Sequence, residues 1–453
     1  MANVAFVEPR GSFNAYGYFR LPLMGSLTLG TILKEAGHEV LIFRDSVRSI
    51  FDEKKERLHE ALTQADVVAI SVLTSTANRA YQIADAIRKA APKIKIIMGG
   101  PHPTYMSEEA LKHADLVVKG EGEGTILEAV NNRNLTGIIQ GAPVENLNDI
   151  PFPDFSILSD QDRPPRTTPI STSRGCPYDC VFCTVSSTFG RKYRFRDPEN
   201  VLEEIDMRVA QGHRDFFFYD DNFAANRKGT KVMLEGIAQR GLKLKWSAEA
   251  RTNIAKDDEL LELISRANCH RMLIGLESIN PQTLKAYNKK QTVEEVKNCV
   301  DRLHDHNIGV HGMFALGSDA DDSDTIRNTV KFCHEVKLES VQFALLHPLP
   351  GSRLYKTLDS ENRIFTKDWS LYDGTHVVFK PGKMNPVELQ EKFFWAWKKF
   401  YSLWRKPYLY PACRYIINRW QKANKTTLAD LKKRFSSAAE KYTLYKGKSE
   451  DQK

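Results

Sequence analysis

The sequence predicts an α/β protein with a doubly wound, Rossmann-like domain, a partial (β/α)6 barrel of the TIM type and a helical, basic C-terminal extension. Short β-branched runs alternate with helical stretches from residue 3 to about residue 130, and the alternation resumes as six further units from residue 168. Residues 385–453 lack it and are rich in basic and aromatic side chains. At 453 residues, the chain is long enough for two or three domains.

The first domain is predicted over residues 1–150. Its strands are apolar along their whole length, which is typical of parallel strands buried on both faces. They are expected at residues 4–7, 40–43, 67–71, 94–98 and 116–118. Helical patterns separate them at about residues 25–36, 53–63, 76–90 and 123–131. This order predicts a parallel sheet with helices on both faces.

Three loops of this domain follow strand ends and carry glycines or small hydroxyl residues. Ligands of open α/β sheets bind outside the carboxyl ends of strands, so we expect these loops to share a crevice in which glycines let a flat ligand approach the backbone. Ordinary strand-to-helix turns are the alternative. The candidate residues are Ser71, Thr74, Ser75 and Thr76, then Gly99, Gly100 and His102, and finally Gly120, Glu121 and Gly122.

The second domain is predicted over residues 168–352, after a linker at residues 151–167 that is rich in Pro and Asp. Six strand–helix units indicate a partial barrel, whose functional groups should lie at the carboxyl ends of the strands. A connecting segment at residues 353–384 follows. The strands are expected at about residues 168–173, 215–220, 244–251, 271–277, 310–316 and 340–346.

A short run near the start of this domain contains three cysteines, Cys176, Cys180 and Cys183. The other cysteines, at positions 269, 299, 333 and 413, are scattered singly. Iron–sulfur clusters are normally held by four cysteines and structural zinc by four ligands. The trio therefore predicts a cubane cluster with one iron that lacks a protein ligand and can bind substrate.

The CxxxCxxC spacing, with Phe182 before the last cysteine, resembles the radical S-adenosylmethionine superfamily. This resemblance implies a [4Fe-4S] cluster whose open iron binds S-adenosylmethionine. It also implies reductive cleavage to a 5′-deoxyadenosyl radical, driven by an electron donor such as flavodoxin or ferredoxin.

The resemblance also implies which residues contact S-adenosylmethionine. Asp220, Asp221 and Asn222 occupy the position of the segment that binds the amino group, although Asp-Asp-Asn would also cap the next helix. Arg251 is the candidate for the carboxylate, with a salt bridge to Glu249 as the alternative. The remaining candidates are Phe182, Gly275 and Glu277, the last for the ribose hydroxyls, and residues 348–352 near the adenine.

The first domain, which ends in the run at residues 150–154, resembles the cobalamin-binding domain that precedes many radical S-adenosylmethionine domains. It lacks the Asp-x-His-x-x-Gly signature, so the resemblance implies base-off cobalamin without a lower histidine ligand. His102 could lie near the corrin or could be an ordinary turn residue.

The C-terminal region from residue 385 carries sixteen Lys and Arg against six acidic residues, a net charge of +10 within a whole-chain charge of +8. Phe393, Trp397, Phe400 and Trp404 form one stripe of a predicted helix at residues 391–406. Such a helix could lie at a membrane surface, or its aromatics could pack against the barrel. No RNA-binding module is visible, so nucleic acid is not an expected partner.

The cysteine pattern and the amino terminus predict a cytoplasmic location, with peripheral membrane contact if the tail binds lipid. The first functional hypothesis is cobalamin-dependent methylation of an unactivated carbon in a small-molecule or lipid substrate. The second is a non-methylating radical cyclase or ring-forming enzyme that acts on a porphyrin or isoprenoid lipid. A non-enzymatic, cluster-containing binding protein is the third. The sequence argues against a methylthiotransferase of tRNA, because those enzymes carry a second cluster on three amino-terminal cysteines and this chain has no cysteine before Cys176.

Overall fold

The computed structural model describes residues 1–11, 20–402 and 425–435. The first domain contains a six-stranded parallel sheet with the strand order β2-β1-β5-β6-β7-β8 and a small antiparallel hairpin of β3 and β4. The strands are β1 Asn3–Glu8, β2 Glu39–Arg44, β3 Phe51–Asp52, β4 Arg57–Leu58, β5 Val67–Ser71, β6 Lys95–Gly99, β7 Leu116–Lys119 and β8 Gly137–Gln140.

Helices cover both faces of this sheet, as predicted. Alternate residues of β1 point to opposite sides: Val7 packs with the core around α3, whereas Phe6 packs with the core around α1 and α6. The helices are α1 Met24–Glu35, α2 Glu60–Thr63, α3 Ala77–Ala90, α4 Pro101–Tyr105, α5 Ser107–Leu111 and α6 Ile126–Asn131. The doubly wound fold of the first domain is confirmed.

The helix predicted at residues 53–63 is wrong. The hairpin of β3 and β4 occupies most of this segment, and α2 contributes one short helical turn. The Asp52 carboxylate accepts hydrogen bonds from the backbone of Lys54 and Lys55, and Glu56 has a left-handed φ of 47°. A local side-chain-to-backbone turn therefore replaces the helix. Strand β8 was not predicted.

The second domain is an open, parallel six-stranded sheet with the order β9-β12-β13-β14-β15-β16, which confirms the partial barrel. Its strands are β9 Thr168–Ile170, β12 Asp215–Phe218, β13 Lys245–Ala250, β14 Cys269–Glu277, β15 Gly309–Leu316 and β16 Ser340–Leu345, and a separate antiparallel pair consists of β10 Ser173–Arg174 and β11 Arg194–Phe195.

Helices cover the convex face of the barrel sheet. Alternate residues such as Trp246 and Ala248 are buried against these helices, whereas Ser247 and Glu249 point to the concave face. Those that contribute buried side chains to this core are α8 Pro198–Ala210, α9 Arg227–Gln239, α10 Asp258–Arg266, α12 Val293–Asp305 and α13 Ser323–Glu335. The other helices of this part of the chain are α7 Val185–Thr188, α11 Pro281–Ala286 and α14 Arg353–Ser360.

Two C-terminal helices, α15 Pro386–Phe400 and α16 Lys425–Phe435, follow. Phe393 and Phe400 of α15 are buried in the barrel core, and the indole of Trp397 donates a hydrogen bond to the Phe343 carbonyl at 3.1 Å. The predicted aromatic stripe therefore packs against the barrel, while Trp404 lies outside the described residues. In the part of the chain that the structure describes, no helix is long and apolar enough to cross a membrane.

Candidate functional site

A cavity of about 420 Å³ lies between the carboxyl ends of the two parallel sheets. The first domain lines it with the loops after β5, β6 and β7, and the barrel lines it with residues that follow β9 and β12. The predicted residues that line it are Ser71, Gly99, Gly100, Gly120, Glu121, Gly122 and Asp221. The shared crevice predicted from the three loops is therefore present, and it extends to the mouth of the barrel.

Gly100 and Gly120 occupy backbone conformations that other residues rarely adopt, with φ of 103° and 77°. A Cβ on Gly100 would lie 3.0 Å from the Val72 carbonyl oxygen, and one on Gly120 would lie 2.8 Å from the Gln140 amide nitrogen. Glycine therefore lets these loops turn tightly and leaves their backbone open to a large ligand. This geometry fits a flat macrocycle such as a corrin.

Thr74, Ser75 and Thr76 do not line the cavity. They form a 3-10 turn before α3, in which the Thr76 hydroxyl accepts a hydrogen bond from the Leu73 backbone. These three residues therefore form an ordinary strand-to-helix turn, which was the alternative prediction for this loop.

His102 does not line the cavity either. It is fully buried, its Nε2 lies 3.1 Å from the Tyr81 hydroxyl, and its ring meets Trp369 edge-on at 5.0 Å. Burial lowers the pKa of His102 to about 4, against a smaller opposing effect of Glu109. His102 is a neutral core residue, so its assignment as a corrin contact is corrected.

The cysteine loop is the segment between β10 and β11. Gly175 begins it with a φ of 86°, and a Cβ there would lie 2.6 Å from the Lys192 carbonyl oxygen. The Val181 backbone donates to the Tyr287 carbonyl at 3.1 Å, and the Val185 backbone donates to the Cys183 sulfur at 3.4 Å. These contacts fix a compact loop whose cysteines are half-buried.

The three thiols are close enough to influence one another electrostatically. Burial raises the pKa of Cys183 to about 12, the hydrogen bond from the Val185 backbone opposes this rise, and the charges of Cys180 and Asp221 add to it. Burial also raises the pKa of Cys176. Thiolates at these positions therefore need positive charge, which the irons of a cluster supply. Among the described residues, no three His, Cys, Asp or Glu side chains could hold a single metal ion. Three cysteine thiols on one compact loop are the donor set that an iron–sulfur cluster takes, so the residues of this loop fit a cluster.

Arg251 lies beside the cysteine loop. Its Nη1 is 3.5 Å from the Cys180 sulfur, its Nη2 donates to the Lys289 carbonyl, and its guanidinium stacks over the Tyr178 ring at 3.7 Å. No salt bridge joins Arg251 to Glu249 within the described residues. Arg251 therefore lies beside the cysteine loop, and protein groups contact its guanidinium. Its binding of the S-adenosylmethionine carboxylate stays a prediction.

Asp220, Asp221 and Asn222 follow β12 and lie in three different environments. The buried Asp220 carboxylate accepts four hydrogen bonds, from the backbone and hydroxyl groups of Thr172 and Ser173, at 2.7–2.9 Å. It therefore fixes the chain just before the cysteine loop rather than offering free acceptors to a ligand. Asn222 is buried and does not line the cavity.

Asp221 faces the cavity. Surrounding protein desolvates its carboxylate and, together with the charge of Asp220, raises the pKa of Asp221 to about 6. Tyr219 lines the cavity beside it and is 41% exposed, although sequence analysis did not select it. Asp221 is thus the acceptor of this segment that a ligand ammonium can reach.

Glu277 ends β14 in a strained conformation, with a φ of 61° at an irregularity in the pairing with β15. Its carboxylate pairs with Lys289 at 2.6 Å, and both side chains are largely buried. A Cβ on Gly275 would lie 2.7 Å from the Glu277 Oε1 and 2.8 Å from the Lys289 Nζ. Gly275 therefore makes room for this ion pair, which positions Glu277 at the barrel mouth.

Lys289 and Glu249 complete the polar groups near the barrel mouth. Lys289 follows α11 in a turn that carries no recognisable motif, so sequence analysis missed it. Burial, with Asp221 and Glu277 adding negative charge, raises the pKa of Glu249 to about 7. Phe182 packs edge-on against Tyr287 at 5.1 Å and supports the cysteine loop from behind.

Residues 170–333 match the Radical SAM superfamily, and residues 15–130 match the B12 binding domain. The bacteriochlorophyllide d C-12(1)-methyltransferase of Chlorobaculum tepidum is 32% identical over 347 residues, covering 74% of this chain and 75% of that protein. The anaerobic magnesium-protoporphyrin IX monomethyl ester cyclase of Rubrivivax gelatinosus is 28% identical over 405 residues, covering 82% of this chain and 72% of that protein.

The fold also resembles the radical S-adenosylmethionine methyltransferase TsrM of Kitasatospora setae, solved with cobalamin and a [4Fe-4S] cluster. The TM-score is 0.63 at 19% identity, covering 80% of this chain and 78% of that one. The chain therefore belongs to the radical SAM superfamily. Within it, the chain belongs to the enzymes whose radical SAM domain follows a cobalamin-binding domain, and its cofactors are S-adenosylmethionine, a [4Fe-4S] cluster and cobalamin.

Proposed function

We propose that this enzyme methylates an unactivated carbon of a small-molecule substrate by cobalamin-dependent radical chemistry. The observation that carries the proposal is the shared cavity, because the glycine loops of the first domain and the Asp221 segment of the barrel line the same space. A [4Fe-4S] cluster held by Cys176, Cys180 and Cys183 would supply the electron that cleaves S-adenosylmethionine, and a corrinoid held by the glycine loops would supply the methyl group. The methyltransferase relative from Chlorobaculum tepidum supports this reaction class.

The residues of the chain would hold and orient these groups. Cys176, Cys180 and Cys183 would ligate three irons, and Gly100 and Gly120 would admit the corrin. At pH 7, a carboxyl with a pKa of about 6 is roughly nine-tenths ionised, so Asp221 can accept hydrogen bonds from the ammonium of S-adenosylmethionine. The cavity between the two sheets would bring these groups together.

Product analysis tests methylation. The anaerobically reconstituted enzyme would receive S-adenosylmethionine, a reductant and, in separate reactions, bacteriochlorophyllide d and magnesium-protoporphyrin IX monomethyl ester, which the relatives' names suggest as trial substrates. Methylation predicts 5′-deoxyadenosine and S-adenosylhomocysteine in equal amounts, together with a methylated product. A modified product accompanied by 5′-deoxyadenosine alone would contradict it.

The second candidate function is a radical cyclase that transfers no methyl group. The cyclase relative covers more of this chain than the methyltransferase does, 82% against 74%. This function predicts an oxidised, cyclised tetrapyrrole and no S-adenosylhomocysteine. The same product analysis therefore separates the two candidates.

We also propose that an acidic electron donor, such as flavodoxin or ferredoxin, docks beside the cysteine loop. Arg353 and Asn288 both donate to the Asp179 carbonyl at 2.7 Å, which brings two basic segments to the outer side of the loop. The exposed basic residues of these segments are Lys285, Lys290, Arg353 and Lys356. Opposite charge would steer a donor to this edge.

A charge-reversal variant, measured at low ionic strength, tests this docking site. Lys290→Glu should lower flavodoxin-driven formation of 5′-deoxyadenosine about tenfold at low salt and leave dithionite-driven formation unchanged. Lys331→Glu, on the exposed side of α13, is the matched control. Equal loss with both reductants would place the defect in the enzyme itself and contradict docking.

For the location, we propose a cytoplasmic enzyme. Phe393, Phe394 and Phe400 of α15 are buried in the barrel core, and Trp395 and Trp397 are partly buried against it. The structure thus favours the packing alternative over peripheral membrane contact for residues 386–400.

A further inference from the structure

The cysteine loop is closed at its base by the antiparallel pairing of β10 and β11, in which Arg174 lies opposite Arg194. Like charges directly opposite each other in a strand pair repel. Arg194 is also largely buried, with its side chain 4% exposed. The base of the loop therefore requires a compensating carboxylate.

Glu121 of the first domain supplies that carboxylate. Its Oε2 accepts from the Arg174 Nη1 at 2.9 Å and from the Arg194 Nη1 at 3.1 Å, while its Oε1 pairs with the Arg194 Nη2. The Val144 backbone donates to the same carboxylate at 3.1 Å. The Glu121 side chain is 2% exposed, so this ion triad is shielded from water and salt.

The same residue belongs to the glycine loop that lines the cavity, between Gly120 and Gly122. Its neighbour Glu123 pairs with the other side of Arg174 at 2.6 Å. One loop of the cobalamin-binding domain is thus tied directly to the two residues that close the cluster-binding loop.

We infer that Glu121 is a positioning residue that couples cobalamin binding to cluster binding by bridging Arg174 and Arg194. Ordering of residues 120–122 by the corrinoid would fix the carboxylate, which in turn fixes the base of the cysteine loop. Coupling between two binding sites is reciprocal, so the cluster must also strengthen corrinoid binding. This inference holds whether the substrate radical is methylated or cyclised.

Equilibrium dialysis with hydroxocobalamin tests the coupling, with cobalt as the measured quantity. The cluster-loaded protein should bind hydroxocobalamin about fivefold or more tightly than the same protein stripped of iron. Glu121→Gln should bind hydroxocobalamin with the same affinity in its cluster-loaded and iron-stripped forms. The control is Glu145→Gln, which breaks an exposed ion pair with Lys192 in the same region and should keep the wild-type difference.

Iron retention gives a second readout. Glu121→Gln leaves Arg194 buried with only carbonyl partners, so the variant should lose iron to a chelator about fivefold faster than wild type. The double variant Glu121→Gln with Arg194→Gln removes that unpaired charge and should slow the loss again. The double variant also provides the measurement if the single variant does not fold.

Three results would overturn the inference. One is a wild-type affinity for hydroxocobalamin that does not depend on the cluster. Another is an equal loss of affinity in the loaded and stripped forms of Glu121→Gln, because Glu121 would then contact the corrinoid directly. The third is rapid iron loss that the double variant does not slow.

Discussion

The guanidinium of Arg251 lies 3.5 Å from the sulfur of Cys180 and is held there by Tyr178 and the Lys289 carbonyl. A hydrogen bond to a ligating sulfur stabilises the more negative, reduced form of a cluster. The structure therefore gives Arg251 a role toward the cluster loop, where the sequence indicated a role toward the carboxylate of S-adenosylmethionine.

Replacing Arg251 should lower the reduction potential of the cluster. In Arg251→Gln, the ratio of oxidised to reduced cluster at a fixed poise should rise about tenfold, equal to about 59 mV for a one-electron couple. Redox titration followed by electron paramagnetic resonance measures it. Lys256→Gln, which breaks a surface pair with Glu295, is the control. An unchanged potential together with weaker binding of S-adenosylmethionine would instead support the carboxylate role.

Removing a cluster cysteine should abolish radical formation. Cys180→Ala is expected to produce no 5′-deoxyadenosine above background, because only two ligands remain on the loop. Cys299→Ala, in the barrel core, should keep the activity and lose about 1 kcal/mol of unfolding free energy. If Cys180→Ala still cleaved S-adenosylmethionine, the assignment of Cys180 as a ligand of the cluster would be wrong.

The Gly275 position should be intolerant of a methyl group. Gly275→Ala would place its Cβ within 2.8 Å of both members of the Glu277–Lys289 pair, so we expect S-adenosylmethionine to bind about tenfold more weakly. Gly124→Ala is the matched control, because a Cβ there meets nothing within 4 Å. Isothermal titration calorimetry on the loaded enzyme measures both affinities, and equal affinities would exclude a role for this pair.

Ionisation of Glu249 should destabilise the protein as the pH rises. Its pKa is raised from 4.5 to about 7, so between those values the native state binds more protons than the unfolded state and stability falls with increasing pH. Asp221 and Glu277 add negative charge there, and Lys289 opposes it. The difference in unfolding free energy between Glu249→Gln and wild type should therefore shift by about 1–3 kcal/mol in favour of the variant between pH 5 and pH 8.

Urea unfolding of the iron-free protein at the two pH values measures this gain. Glu262→Gln, on the exposed side of α10, is the control and should show no pH-dependent difference from wild type. A Glu249→Gln curve parallel to that of wild type at both pH values would contradict the raised pKa.

The strand pattern could be predicted because buried parallel strands are continuous apolar runs, such as Val67–Ser71. The segment at residues 53–63 could not, since its turn depends on the Asp52 carboxylate rather than on periodicity. Strand position placed Asp221 correctly at the cavity. It could not separate Asp221 from Asp220, because their side chains point in opposite directions at a strand end.

Tertiary contacts decided the remaining differences. His102 follows a strand end as predicted, but α4 turns its ring into a core with Tyr81 and Trp369, which is remote in sequence. Lys289 reaches Glu277 from a turn without any motif, and only the folded barrel brings them together. The loop position of Glu121 is visible in the sequence, whereas its partners Arg174 and Arg194 belong to the other domain and only the fold brings them together.

Binding of hydroxocobalamin to the anaerobically reconstituted enzyme tests whether the cavity between the two sheets holds the corrinoid. We expect stoichiometric binding with a base-off absorption spectrum in the wild type. Gly100→Val should lose that binding, because its side chain would collide with the Val72 backbone. Gly124→Val is the matched control and should bind as wild type does. Equal binding by wild type and Gly100→Val, or no binding by the wild type, would contradict corrinoid binding in this cavity.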